Sequence, residues 1–216
     1  MGLTLRAAAF AAGCAFAASG VANAAFVYSS SSRSVDVTVN STVVDSEFTS
    51  AFGGWFGSAS SNGAGYSALA QQGSNLASLE MSLVGSATVD ASATAAIMAR
   101  SMADISFIAS ASESISWLAS LGSGSTGSAA PGLLTVRVTD STSGTVVLAF
   151  TGPTAGSGSF GVVAGRSYRV EVSAMAIVQG GGLSAANYSA VFSAPVPAPG
   201  AIALLGLAGL VGRRRR

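Results

Sequence analysis

The sequence predicts an all-β exported domain, an antiparallel β-sandwich of jelly-roll-like form, held between two targeting segments. Three observations carry this prediction. Apolar residues recur at every second position along most of the chain, as on a strand with one buried face. Glycine- and proline-rich turn signals separate those stretches. Charged residues make up only 9% of the chain, against about 25% in ordinary globular proteins. Ser, Thr, Gly and Ala fill the difference, a composition that suits strands and turns outside the cell.

The alternation is explicit. Val35, Val37 and Val39 alternate with polar residues, as do Leu79, Met81 and Leu83. Ile105 and Phe107 continue the pattern, followed by Ile115, Trp117 and Ala119, then by Leu134, Val136 and Val138. Val146, Leu148 and Phe150 come next, then Tyr168, Val170 and Val172, and Tyr188, Ala190 and Phe192 close the set. One apolar and one polar face per strand is the mark of antiparallel sheets wetted on one side. Residues 91–112 have an Ala/Met content that a helix would accept, but their Ser and Thr spacing favours strand. Breaks are expected at Gly53-Gly54, Asn62-Gly63, Gly122 to Gly127, Pro131-Gly132, Gly152-Pro153, Ala164-Gly165 and Gly180 to Gly182. Eight or more strands over residues 25–195 point to a sandwich or jelly roll. The phrase Gly165-Arg-Ser-Tyr168-Arg-Val170-Glu-Val172 resembles a late strand of bacterial surface β-sandwiches.

Both ends of the chain read as addresses. Arg6 supplies a positive n-region, Ala7 to Ala18 an apolar h-region, and Ala22-Asn23-Ala24 a small-x-small cleavage site. Residues 1–24 are therefore expected to be a signal-peptide helix removed by signal peptidase, leaving Ala25 as the first residue. At the other end, Val196-Pro197-Ala198-Pro199 precedes an apolar run, Gly200 to Gly212, and then Arg213, Arg214, Arg215 and Arg216. The run makes a helix about 20 Å long. Snorkelling arginines help so short a segment to span. The arginines stay in the cytoplasm and fix the orientation.

Residues 196–216 resemble the PEP-CTERM sorting domain, in which a short proline motif, a Leu/Gly-rich transmembrane helix and an arginine cluster follow one another. Pro197 and Pro199 match the motif, while Ala198 stands where the family has glutamate. The resemblance implies recognition by an exosortase, a transient inner-membrane anchor through residues 200–212, and delivery to the cell surface or extracellular matrix. It also implies an association with extracellular polysaccharide and biofilm.

Composition excludes several chemistries for residues 25–195. Nine acids face five arginines there, a net charge of −4, and the chain has no lysine. Nucleic-acid binding needs a basic patch, so no such partner is expected. There is no histidine, and the single cysteine, Cys14, lies in the leader. A disulfide within the domain, a His/Cys zinc site and a His-activated nucleophile are all ruled out. No calcium-loop run of aspartates occurs. A carboxylate-only glycosidase survives these exclusions, but Asp36, Glu80 and Glu171 alternate with apolar residues, as on solvated strand faces. We expect no enzyme, no metal and no cofactor. Asn40-Ser-Thr42 and Asn187-Tyr-Ser189 match the glycosylation pattern, which chance produces often.

Trp55, Phe56 and Tyr66 sit in a Gly/Ser-rich surround. They present a sugar-stacking platform, or else Trp55 and Phe56 staple a strand edge onto the core, and the usual burial of large aromatics favours the staple. Trp117 shares its phase with Ile115 and Ala119 and reads as core. Two functions follow: a non-enzymatic surface or matrix protein, or a carbohydrate-binding module built on loop aromatics around Trp55.

Overall fold

The computed structural model describes residues 26–92 and 95–195. They form β1 (Phe26–Val39), β2 (Thr42–Thr49), β3 (Trp55–Gly63), β4 (Tyr66–Leu76), β5 (Glu80–Ala91) and β6 (Ala96–Ala109). The second half supplies β7 (Glu113–Gly127), β8 (Leu133–Asp140), β9 (Thr145–Thr151), β10 (Thr154–Val162), β11 (Ser167–Gln179) and β12 (Gly182–Ser193). Sheet A runs β2-β1-β6-β11-β8-β9 and sheet B runs β10-β7-β12-β5-β4-β3. All neighbours are antiparallel.

From β5 onward the pairing is nested: β5 with β12, β6 with β11, β7 with β10 and β8 with β9. An eight-stranded hairpin folded over in this way, its arms alternating between two sheets, is the wind of a jelly roll. The first four strands widen it, β1 and β2 beside β6, β4 and β3 beside β5. The all-β antiparallel sandwich expected from the sequence is therefore present. The expected leader, residues 1–24, and tail, residues 196–216, lie outside the described residues. Among the described residues no helix is long and apolar enough to cross a membrane.

The core follows from the period of two. Ile97, Ile105 and Phe107 of β6 and Val170, Val172 and Val178 of β11 point inward from sheet A; Met81, Leu83, Tyr188 and Phe192 answer from sheet B. Each large apolar side chain so buried stabilises the fold by about 1.5–3 kcal/mol. Many of the remaining inward positions are alanine, Ala99, Ala174, Ala176 and Ala190 among them. Gly85 gives way to a neighbour. A Cβ there would stand 2.4 Å from the Tyr188 ring and from Ser101 Oγ. That clearance admits the Tyr188–Ser101 hydroxyl pair, 3.2 Å apart in the core.

Four expectations need correction. The aromatics expected on loops around Trp55 lie on strands: residues 55–63 form β3 and Tyr66 begins β4. The break expected at Gly122 to Gly127 lies inside β7, whose ladder with β12 is unbroken to Gly127. The phase of Val146, Leu148 and Phe150 is interrupted. Val138 pairs with Leu148 and Thr139 with Val146, leaving Val147 as a bulge, so Val146 turns outward. Asp36 is not a solvated carboxylate: it is buried and bound to Arg100 Nε at 2.9 Å.

The two sides of the sandwich differ. On one side β2 and β3, the edges of sheets A and B, are stitched together. Asp45 Oδ2 accepts from the Ser60 N–H at 2.7 Å and Glu47 Oε2 from the Ser58 N–H at 3.1 Å. On the other side β9 and β10 carry no such carboxylates. Both ends of the described chain meet one turn: the Phe26 N–H donates to Ser78 O at 3.0 Å and the Ala194 N–H to Leu79 O at 2.9 Å.

Candidate functional site

The structure separates the three aromatics singled out in the sequence. Trp55 opens β3 with its ring turned inward, half-buried and packed on the core. Phe56, one residue on, must face the opposite way, and it is 67% exposed. Tyr66 begins β4, half-buried, with its hydroxyl 3.2 Å from Ser61 Oγ. The three do not form one platform, and none of them sits in a loop. Of the expected staple pair only Trp55 packs on the core, as does Tyr66; Phe56 is not a staple, because alternation along β3 turns its ring to solvent.

Arg33 explains the position of Trp55. It shares the inward phase of Val35 and Val37 and is completely buried. Its Nη1 donates to Gly53 O at 2.9 Å and to Ser74 Oγ at 2.7 Å, and its Nη2 donates to Ala51 O. The guanidinium lies 5.8 Å from the centre of the Trp55 ring, within reach of a cation–π contact. Burial pulls its pKa below the ordinary arginine value. Arg33 thus pins the 50–54 loop to the sandwich edge and places Phe56 on the outer face of sheet B.

Register then assembles a row that the sequence scatters. Phe56 pairs with Gly73, Gly73 with Val84, Val84 with Ser189 and Ser189 with Ser120. A second row beside it runs Ser58, Gln71, Ser86, Asn187 and Gly122. With no side chain on Gly73, the Phe56 ring reaches over it, 3.9 Å from where a Cβ would stand. Between Phe56, Gln71, Ser86, Asn187 and Ser189 lies an open groove of about 420 Å³, within the range of about 300–1,000 Å³ typical of small-molecule clefts. No residue lining it is charged. Beyond it Leu118 of β7 is 61% exposed.

The charges of sheet B stand at strand ends, Glu80 and Asp90 on β5 and Glu113 on β7. Its other strands have none. The groove therefore offers hydroxyl and amide groups, which both donate and accept hydrogen bonds, beside one exposed aromatic ring and the half-exposed Val84. It holds no general acid–base pair and no nucleophile with an adjacent base. Among the described residues no group of three or more His, Cys, Asp or Glu gathers to hold a metal ion.

Sequence reasoning missed Gln71 and Ser86, and named Asn187 only for a glycosylation pattern, because only the ladder makes the three neighbours. It missed Arg33 although a signal was present, its phase with Val35 and Val37. No family model matches the chain, and no curated protein or solved structure matches it either.

Proposed function

We propose that this chain is a non-enzymatic exported protein of the cell surface or extracellular matrix, and that the outer face of sheet B holds a neutral polysaccharide there. The observation that carries the reading is the uncharged groove of hydroxyl and amide groups beside Phe56. A neutral sugar chain presents hydroxyls to such groups and C–H faces to an aromatic ring, and it needs no countercharge. An anionic polymer would find no arginine on this face and would meet carboxylates at the strand ends.

The address rests on the sequence. Signal peptidase would cut after Ala24, one residue before the start of Phe26 in the core. The sorting tail begins at Val196, just past the end of β12. The folded body fills the interval between the two addresses, which supports this division. An exosortase acting near Pro197 and Pro199 would then release or re-anchor the body.

Affinity electrophoresis through gels containing neutral or anionic polysaccharide tests the ligand. Neutral polymers retard the protein, anionic ones do not, and Phe56→Ala weakens retardation at least tenfold with an unchanged melting temperature. Absence of retardation by any neutral polymer leaves a purely structural matrix protein. The address is tested with one tag after Ala25 and another after Arg216: the mature species keeps the first and loses the second. Both tags on one membrane-bound species would make the tail a plain anchor.

A further inference from the structure

We propose that β10 is a self-pairing edge, along which a second copy of this chain runs antiparallel so that sheet B continues from one protomer into the next. The two sheets have four edge strands, β2 and β9 of sheet A and β3 and β10 of sheet B. A free edge exposes unpaired N–H and C=O groups and invites another strand, and proteins block it with charges, bulges or cover. Three of the four edges here are blocked. β2 carries Asp45 and Glu47, and its ladder with β1 is broken at Val37/Thr38. β3 has its Ser58 and Ser60 N–H groups taken by those same carboxylates. β9 bulges at Val147.

β10 has none of these devices. It pairs with β7 without interruption from Thr154 to Val162. It holds no charged residue, and Pro153 lies just outside it. Along its other side no β10 backbone group has a ladder partner. An uncharged, regular edge of this length is a template for strand addition.

The occupant is a second copy because β10 is complementary to itself. An antiparallel pair about Gly158 sets Ser157 opposite Ser159 of the second copy, Ala155 opposite Gly161 and Gly156 opposite Phe160. Like parity meets like parity, so the inward row joins the inward row. Gly158 belongs to that inward row and yet is exposed, covered only by the Trp117 ring, 3.2 Å from where its Cβ would be. In the pair, Phe160 of each copy lies beside the bare Gly156 of the other, the placement by which aromatics support edge glycines. The outward row continues as Ala155, Ser157 and Ser159, so the uncharged face of sheet B extends across both protomers. A two-fold join of this kind closes at a dimer.

Sedimentation velocity of the full chain in mild detergent, over a hundredfold range of concentration, reads the association. The wild type moves from monomer to dimer as concentration rises. Ser157→Glu with Ser159→Glu sets carboxylates against each other across the join and weakens association at least tenfold. Ser157→Lys with Ser159→Glu sets opposite charges together in this register and restores the dimer. Both pairs point to solvent, so the restored dimer also serves as the control for folding. A wild type that stays monomeric overturns the proposal, and so does a doubly acidic variant that associates like the wild type. Phe56 lies at the opposite edge of sheet B, so either result leaves the polysaccharide reading where it was.

Discussion

On the outer face of sheet A, Arg100 reaches Asp36 at 2.9 Å and Arg169 Nε reaches Asp104 at 2.8 Å, with Glu171 3.1 Å from the same guanidinium. On the outer face of sheet B the middle of the ladder is uncharged: Gln71, Val84, Ser86, Asn187, Ser189 and Ser120. All five arginines of the described chain lie on sheet A or in the turn that enters β11, and none lies on sheet B. The low charge of the sequence is thus a property of one sheet rather than a dilution over both. Sheet A meets water through ion pairs. Sheet B meets it through neutral hydrogen-bonding groups and the exposed apolar side chains of Phe56, Leu69, Val84 and Leu118, none of which salt screens.

The largest test of this division concerns the one arginine that sheet A turns inward. Arg33→Ala strips the donors from Ala51 O, Gly53 O and Ser74 and leaves a void at the sandwich edge. Urea unfolding is expected to show a loss of about 3–5 kcal/mol. An exposed-residue loss, well under 1 kcal/mol, would mean that the guanidinium does not hold the loop.

Sheet B has a buried polar group of its own, with the opposite expected sign. Gln72 is fully buried, and neither Oε1 nor Nε2 has a protein partner. Gln72→Met keeps the volume and removes the unsatisfied amide. It is expected to raise stability by about 1–2 kcal/mol in the same assay. A destabilised variant would show that the amide is bonded in solution.

Acid separates the sheets next. Desolvation pushes the Asp140 carboxyl up, but the Arg166 guanidinium at 2.9 Å and the Ser143 and Thr142 N–H groups outweigh it. Its pKa is held below the ordinary 3.8. A lowered folded-state value stabilises above the unfolded value and ceases to do so as pH falls through the folded one. Melting temperature should therefore drop below about pH 4, and Arg166→Gln should make that drop shallower. An equal slope in wild type and variant would remove Asp140 from the account.

The smallest effects compare the faces directly. Arg169→Gln breaks contacts to Asp104 and Glu171 that are open to solvent, and should cost about 0.2–1 kcal/mol in dilute buffer and less in 1 M salt. Asn187→Ala on sheet B should stay within about 0.5 kcal/mol and be indifferent to salt. A salt-dependent Asn187 variant would blur the distinction between the faces.

How far the sequence disclosed the fold depends on contrast along each strand. β1, β5, β7, β8, β11 and β12 were legible because Val, Ile, Leu or aromatic residues alternate with polar ones. β3 alternates Ser58, Ala59 and Ser60, and β10 alternates Gly156, Ser157 and Gly158. Neither offers much difference in hydropathy to read. Gly122 to Gly127 looked like a break because glycine marks turns in isolation. In the sheet, Gly122 makes room for Asn187, whose Oδ1 would stand 2.6 Å from a Cβ there. At the candidate site the sequence named Phe56 but could not separate it from Trp55. Once β3 is a strand, alternation alone sends one ring inward and the other out.

The meeting of both chain ends at Ser78 and Leu79 has a mechanical consequence. β12 lies between β5 and β7, with twelve ladder partners on each side. A pull applied at Ala194, where the chain leaves the body, acts along this strand. It must slide β12 against both neighbours at once, so the ladder bonds share the load. Peeling an edge strand would break them one after another. The strand that leads to Ala194 is thus held in the geometry that resists extraction best, with the groove residues Asn187 and Ser189 on the same strand.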